Sequence, residues 1–218
     1  MDKKEINIYY EEFDFHLMND IKPSLYFNDI INKEILSQVY PFTLLWDLIN
    51  VEQSPVHHSE GNVWIHTMLV LDEAALRRHL SEEPRVFMWS TLLHDLGKAT
   101  TTKIRKGKIT SYDHDTEGEK LAQRFLENFE EDSIFTSKVC KMVRWHMQTL
   151  FVVKELPFAN IKLMLSEVPL DEIALLSLCD RLGRGGMTKK KIEEEEENLK
   201  IFIKKCKEFQ RKIRANNN

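Results

Sequence analysis

The chain has 218 residues, with 35 acidic and 31 basic side chains and a formal charge of -4. It is long enough to bury a sizeable core without staples and shows no overall drive toward nucleic acid. Cys140, Cys179 and Cys206 form no CxxC pair and no zinc-knuckle spacing, so they read as buried apolar residues of a reducing compartment. No apolar stretch follows Asp2-Lys3-Lys4, and no window approaches the ~18 apolar residues of a membrane span; a cytoplasmic protein is expected. With only 7 Gly and 6 Pro, a β-sandwich is excluded in favour of an all-α domain.

Residues 6 to 50 alternate aromatic-rich apolar groups with acids, and Tyr9, Phe13 and Leu17 recur every four residues. With Pro23 and Pro41 suited to first helical turns, two or three helices packed on the main body are predicted. The polar loop from Glu52 to Asn62 carries His57, His58 and Glu60, candidate rim groups that read more simply as exposed. Asn62 is the expected N-cap of a helix starting at Val63. On that helix Val63, His66, Val70, Ala74 and Arg77 line one side and Trp64, Met68, Leu71 and Ala75 an adjacent strip, which turns His66 toward the core. Pro84 opens a helix that is apolar nearly all round through Leu93. It ends in His94-Asp95, with Gly97 as its left-handed terminator. Lys103 to Thr110 alternates around a Lys-Gly turn, predicting a small hairpin or extended loop. Lys98, Lys103, Arg105, Lys106 and Lys108 give this segment a basic character that would steer an anion.

His114 begins the next helix, in which Ala122, Phe125 and Leu126 face inward. Asp132 to Met147 predicts another, with Ile134, Val139, Met142, Val143 and His146 on its apolar side. Pro157 and Pro169 are expected to begin two more. The second is apolar except for Asp171 and Glu172, which suit the helix dipole, and Asp180, which does not. An ionised Asp180 there requires a partner, either Arg181 or Arg184 or a bound cation. From Thr188 onward, Ile192, Leu199, Phe202, Cys206, Phe209 and Ile213 form a heptad-like stripe. It predicts a long helix that packs on the body or on a second copy, making a homodimer.

Taken singly, His66, His94, Asp95, His114, His146 and Asp180 each read as hydrogen-bonded core residues as readily as ligands. As a set they fit a metal site inside a helical bundle. Nitrogen and oxygen donors without thiolate suit one or two ions of Mg, Mn, Fe, Co, Ni or Zn. Such ions lower the pKa of bound water and neutralise phosphoryl oxygens, so phosphoester hydrolysis follows.

His66, His94-Asp95 and Asp180, in that order and on separate helices, resemble the H…HD…D signature of the HD superfamily of metal-dependent phosphohydrolases. Within it, the stretches His58 to Thr67, His94 to Lys98 and Cys179 to Arg184 look most like the HD domain of bacterial CCA-adding tRNA nucleotidyltransferases. The resemblance implies an HD-domain helical bundle over 51–187 with a small hairpin or loop insertion. Residues 1–50 would be a helical extension and 188–218 the C-terminal helix. It implies His66, His94, Asp95 and Asp180 as ligands to one ion, with Asp95 bridging to a second held by His114 and His146. A metal-activated water would then attack a nucleotide or nucleotide-like phosphoester, and an RNA end is a candidate substrate. Lys98, at the catalytic centre beside Asp95, and Arg184 are expected to contact the phosphate.

Departures narrow the branch. No nucleotidyltransferase head is seen, so nucleotide addition to tRNA is not expected. Leu96-Gly97 stands where alarmone hydrolases have Glu-Asp, and no Gly-Tyr-Pro follows His146 as it does in cyclic-di-GMP phosphodiesterases. A non-catalytic HD-fold module that binds RNA or a protein partner is the alternative, on the strength of the basic segment and the striped tail.

Overall fold

The computed structural model describes residues 2–32, 35–56 and 58–216. Apart from one two-stranded hairpin and an isolated bridge, the regular structure of these residues is helical. Helix α1 (Lys3–Asn19) starts from a capping box in which Asp2 and Glu5 each accept the other's backbone N–H. It buries Tyr10, Phe13 and Leu17, while Tyr9 is only partly buried. Helix α2 (Pro23–Asn32) begins at proline as predicted, and the short α3 (Thr43–Trp46) follows Pro41.

Helix α4 (Val63–Arg77) is capped by Asn62, whose Oδ1 accepts from Ile65 N at 2.9 Å. Trp64 donates to Asn28 Oδ1 at 2.8 Å and so ties α4 to α2. The central element is α5 (Pro84–Leu93), in which every residue from Val86 to Leu93 is buried. Around it pack α1, α4, the later helix α8 (Ser133–Trp145) and α11 (Leu170–Leu182). An element enclosed on all sides cannot be amphipathic, which is why its sequence is apolar all round.

Gly97 does not end α5 as a left-handed terminator. Its backbone is right-handed at φ -64°, ψ -17°, and the chain turns through it into α6 (Lys98–Thr101). Its glycine is required by proximity instead: a Cβ there would stand 2.0 Å from the His114 carbonyl oxygen. Strands β1 (Lys103–Arg105) and β2 (Lys108–Thr110) then pair antiparallel, with Ile104 opposite Ile109.

Helix α7 (His114–Glu127) packs along α8, whose N-cap Asp132 accepts from Phe135 N at 3.0 Å. Val139, Met142 and Val143 are buried as expected, but Ile134 is 64% exposed. It lies in the first turn of α8, off the stripe that faces α5 and α7. Pro157 begins no helix. It sits in the turn between α9 (Gln148–Val153) and α10 (Ile161–Glu167), and Asn160 supplies the α10 cap. Pro169 does precede α11 directly.

In α11 the side chain of Glu172 is not simply a dipole partner. It accepts from Ser81 Oγ and Glu82 N, both at 2.7 Å, and anchors the turn before α5. Helix α12 (Lys189–Asn216) folds back on α9, α10 and α11. Phe202 and Cys206 of its stripe are fully buried, and Ile213 stays at the surface. All three cysteines are free and buried. Burial pushes their thiols up to about 12, so none offers a thiolate at neutral pH.

Candidate metal centre

The six predicted ligands converge although they come from within or just past the ends of five helices. His66 lies inside α4, His94 and Asp95 just past the end of α5, His114 at the start of α7, His146 just past α8, and Asp180 near the end of α11. Asp95 is the middle of the group. Its Oδ2 is 3.2 Å from His94 Nε2 and 3.8 Å from His66 Nε2, and its Oδ1 is 3.6 Å from His114 Nε2 and 3.8 Å from His146 Nε2. Asp180 Oδ1 stands 3.0 Å from His66 Nε2. Arg181 Nε lies 3.9 Å from its Oδ2, and Arg184 also acts on its charge.

The outer nitrogens fix the rings. His94 Nδ1 donates to Thr91 O at 2.8 Å, His114 Nδ1 to Ser111 O at 2.7 Å and His146 Nδ1 to Val143 O at 2.7 Å. A carbonyl oxygen only accepts, so each Nδ1 carries a proton, and a ring in its neutral form turns a bare Nε2 lone pair inward. His114 Nε2 and His146 Nε2 face each other at 3.2 Å. A hydrogen bond between them would require one ring to be cationic, and the surroundings oppose that. Burial, with His114 and His94 nearby, brings His146 down to about 4, and burial also lowers His114.

Acceptors outnumber donors in this arrangement. His94 Nε2 and both oxygens of Asp95 are buried without a hydrogen bond among the described residues, although Lys98 Nζ lies 2.7 Å from Oδ2 as an ion pair. Burial works against the Asp95 carboxylate, but Lys98, His94 and His114 outweigh it and hold its pKa well below the usual range. For Asp180 burial is again opposed, by His66, Arg184 and Arg181, with the same result. His94 moves the other way: Asp95 and Asp180 overcome its burial and pull its pKa up. Lone pairs and carboxylates pointed at one small space fit a cation. Three groups meet the spacing for an ion: His66 with His94 and Asp95, Asp95 with His114 and His146, and, on the outer side of His66, His58 with Glu60 and His66.

Lys98 is buried, its ammonium donating to Gln53 Oε1 at 2.8 Å as well as pairing with Asp95. Arg184 is half-buried, and its Nε has no partner among the described residues. In the loop before α4, Val56 and Ser59 are exposed as the sequence suggests, but His58 and Glu60 are not. The Glu60 side chain is only 2% exposed; its Oε1 lies 2.8 Å from His58 Nδ1 and 3.0 Å from His66 Nδ1, and its Oε2 accepts from Gly185 N at 2.9 Å. His58 is nearly buried too, and burial, followed by the charges of Lys98 and His66, brings it down to about 4. His57 lies outside the described residues. Sequence reasoning missed Gln53 and undervalued Glu60. The available signal was His66, a core-facing imidazole whose second nitrogen needed an acceptor from somewhere.

The comparisons agree with this geometry. The HD domain family model matches residues 62–185, which contain all six convergent ligands. The chain is similar to the multifunctional CCA protein of Halorhodospira halophila (strain DSM 244 / SL1), 31% identical over 145 residues, 64% of this chain and 34% of that protein. Against the multifunctional CCA protein of Pseudomonas fluorescens (strain SBW25) it is 37% identical over 82 residues, 38% of this chain and 19% of that one. A third, from Aromatoleum aromaticum (strain DSM 19018 / LMG 30748 / EbN1), is 46% identical over 54 residues, 25% of this chain and 12% of that one. The chain thus spans about a third or less of these curated relatives. The matched span and the ligand set it encloses agree: the chain belongs to the HD-domain family, whose members are generally metal-dependent phosphohydrolases.

Proposed function

We propose that the protein is a cytoplasmic phosphodiesterase or phosphatase that hydrolyses a nucleotide or nucleotide-like phosphoester. The observation that carries this reading is the set of ring nitrogens turned inward around the buried Asp95 carboxylate, whose charge Lys98 meets from one side. His66, His94, Asp95 and Asp180 would hold one divalent ion, and Asp95, His114 and His146 a second. When bound, such ions activate water at neutral pH and neutralise charge on phosphoryl oxygens.

The chain's own groups supply the rest. Lys98, held by Asp95 and Gln53, keeps the Asp95 carboxylate ionised and brings a positive charge to the phosphate. Arg184 presents a guanidinium Nε with no protein partner among the described residues, suited to a phosphoryl oxygen. Burial of His66, His94 and Asp95 at 1% exposure or less keeps bulk water from the reacting atoms and strengthens every charge interaction among them.

The test is Asp95→Ala, purified beside wild type and compared for metal content and for turnover of bis-p-nitrophenyl phosphate. Loss of both is expected; unchanged metal and rate would sink the assignment. A panel of nucleoside monophosphates, cyclic phosphates and dinucleotides then names the ester. The alternative of a non-catalytic RNA-binding module draws support from the hairpin, where Lys103, Lys106 and Lys108 are exposed without ion pairs among the described residues. Wild-type protein that binds RNA but hydrolyses no phosphoester with any added metal would favour it.

A further inference from the structure

We infer that Glu60 is a positioning residue that holds the proton of His66 on Nδ1 and thereby keeps Nε2 free as a ligand. The inference rests on the metal-centre reading above. Its starting point is a contrast among the four histidines. His94, His114 and His146 each give Nδ1–H to the carbonyl three residues earlier. They can do so because they stand at helix ends, where carbonyls or loop oxygens have no intrahelical partner. His66 is in the interior of α4. The carbonyl three residues before it, Val63 O, already accepts from Thr67 Oγ1 at 2.9 Å as well as lying within the helical ladder.

An interior histidine therefore needs an acceptor from another part of the chain. Glu60 Oε1 is that acceptor, 3.0 Å from His66 Nδ1, at an angle too bent for a full hydrogen bond in the structure. On the opposite side of the ring, Nε2 and Asp180 Oδ1 are in hydrogen-bond geometry at 3.0 Å, the better-formed of the two contacts without an ion. Two carboxylates thus compete for the single proton of a neutral imidazole. Binding an ion through Nε2 requires that Glu60 win, the arrangement in which a second carboxylate orients a metal-bound histidine. Glu60 is itself fixed, with Oε2 on Gly185 N and Oε1 on His58 Nδ1. The same carboxylate therefore joins the loop before α4 to the turn after α11, next to Arg184.

Glu60→Gln separates this role from simple packing because it is isosteric. Its amide oxygen can keep the Gly185 N–H only by turning the NH2 group toward His66 Nδ1, which then favours the wrong tautomer. Titration of metal-free full-length protein with Mn2+ and, separately, Zn2+ is expected to show affinity for Glu60→Gln weakened by roughly 10- to 100-fold, with the metal-free melting temperature nearly unchanged. Glu60→Ala, where water can occupy the vacated space, gives the same loss and serves if the Gln variant does not fold. His58→Ala is expected to bind within about threefold of wild type, since it removes only the other ring on Oε1. Variants of Glu60 that melt lower but bind both metals as wild type does would overturn the inference and leave the metal centre standing. A wild-type chain that binds neither metal would instead overturn the centre itself.

Discussion

Gly97→Ala tests how the bundle brings its ligands together. Gly97 follows Asp95 by two residues, and its Cα faces the first turn of α7, which begins with His114. A methyl group there would lie 2.0 Å from the His114 carbonyl oxygen, 2.6 Å from Gly118 N and 2.9 Å from the His114 carbonyl carbon. All three are backbone atoms, so no side-chain rotation relieves the contact. Ordinary contact begins near 3.4 Å, and the two segments would have to part by about 1.4 Å. Overpacking of this kind costs about 3 kcal/mol, at the upper end of what cores absorb. For a chain of this size that lowers the melting temperature by roughly 6–12 °C. It also moves His114 away from Asp95, now 3.6 Å apart, so affinity for Mn2+ falls as well. Gly118→Ala is the control: its Cβ would meet Val143 Cγ1 at 3.1 Å, a side-chain atom, with backbone no nearer than 3.5 Å. There the gain in helix propensity, about 1 kcal/mol, offsets a small repacking cost. Calorimetry of the two variants decides the matter. A Gly97→Ala protein melting within about 2 °C of wild type would refute the close-approach argument.

Three further outcomes are expected. Lys98→Met removes the positive charge 2.7 Å from Asp95 Oδ2, so Mn2+ binds as tightly as in wild type or tighter. Phosphoester turnover, followed with bis-p-nitrophenyl phosphate, nevertheless drops by about 10-fold or more, because a charge-assisted phosphate contact is lost. Hydrogen bonds from Arg85 hold Glu131 below its ordinary value of 4.5, against its partial burial. Its contribution to stability is therefore complete above about pH 4.5 and is lost as pH falls through the lower folded value. Urea melts between pH 6 and 3 should show a shallower loss for Glu131→Gln than for wild type. Stripping metal with EDTA and restoring Mn2+ at about 100 times its dissociation constant should raise stability by about 2.7 kcal/mol. By differential scanning calorimetry that corresponds to roughly 5–11 °C.

The elements carrying strong periodicity were legible in the sequence. The apolar run of α5, the Asn62 cap and the Lys-Gly hairpin are each where local chemistry puts them, because each rests on contacts within a few residues. The errors fall where a distant neighbour decides. Gly97 carries glycine for the sake of His114, Glu172 serves Ser81 as much as its own helix, and Ile134 looks apolar yet faces outward. The same divide runs through the site. The six ligands could be found because buried histidines and a late aspartate are anomalous on apolar helices. Glu60 could not, since a glutamate in a polar loop is ordinary until the partner 125 positions away in sequence, Gly185, is known. Gln53 is hidden for the same reason, its role set by Lys98 across the fold.

On the proposed function, the charge balance at the centre would link the binding of an ion to that of an anionic ester. Three carboxylates, Asp95, Asp180 and Glu60, are drawn in with the positive charges of Lys98, Arg181 and Arg184, each acting on at least one of the buried groups. The histidines with the lowered values add no charge. His94, drawn toward its charged form by Asp95 and Asp180, adds to the positive side, so the chain alone has no negative excess where its lone pairs converge. That makes the metal-free fold tolerable despite the bare nitrogens at 3.2 Å. A divalent cation tips this balance to an excess of positive charge in a space of low dielectric, where uncompensated charge is expensive. On that reading an anionic phosphoester would restore the balance, with Arg184, whose Nε has no protein partner among the described residues, as the group to receive it. A neutral ester or amide would leave the excess in place. On the proposed function, a preference for anions would follow from how many cations the chain already holds beside its carboxylates, before the shape of any pocket is considered.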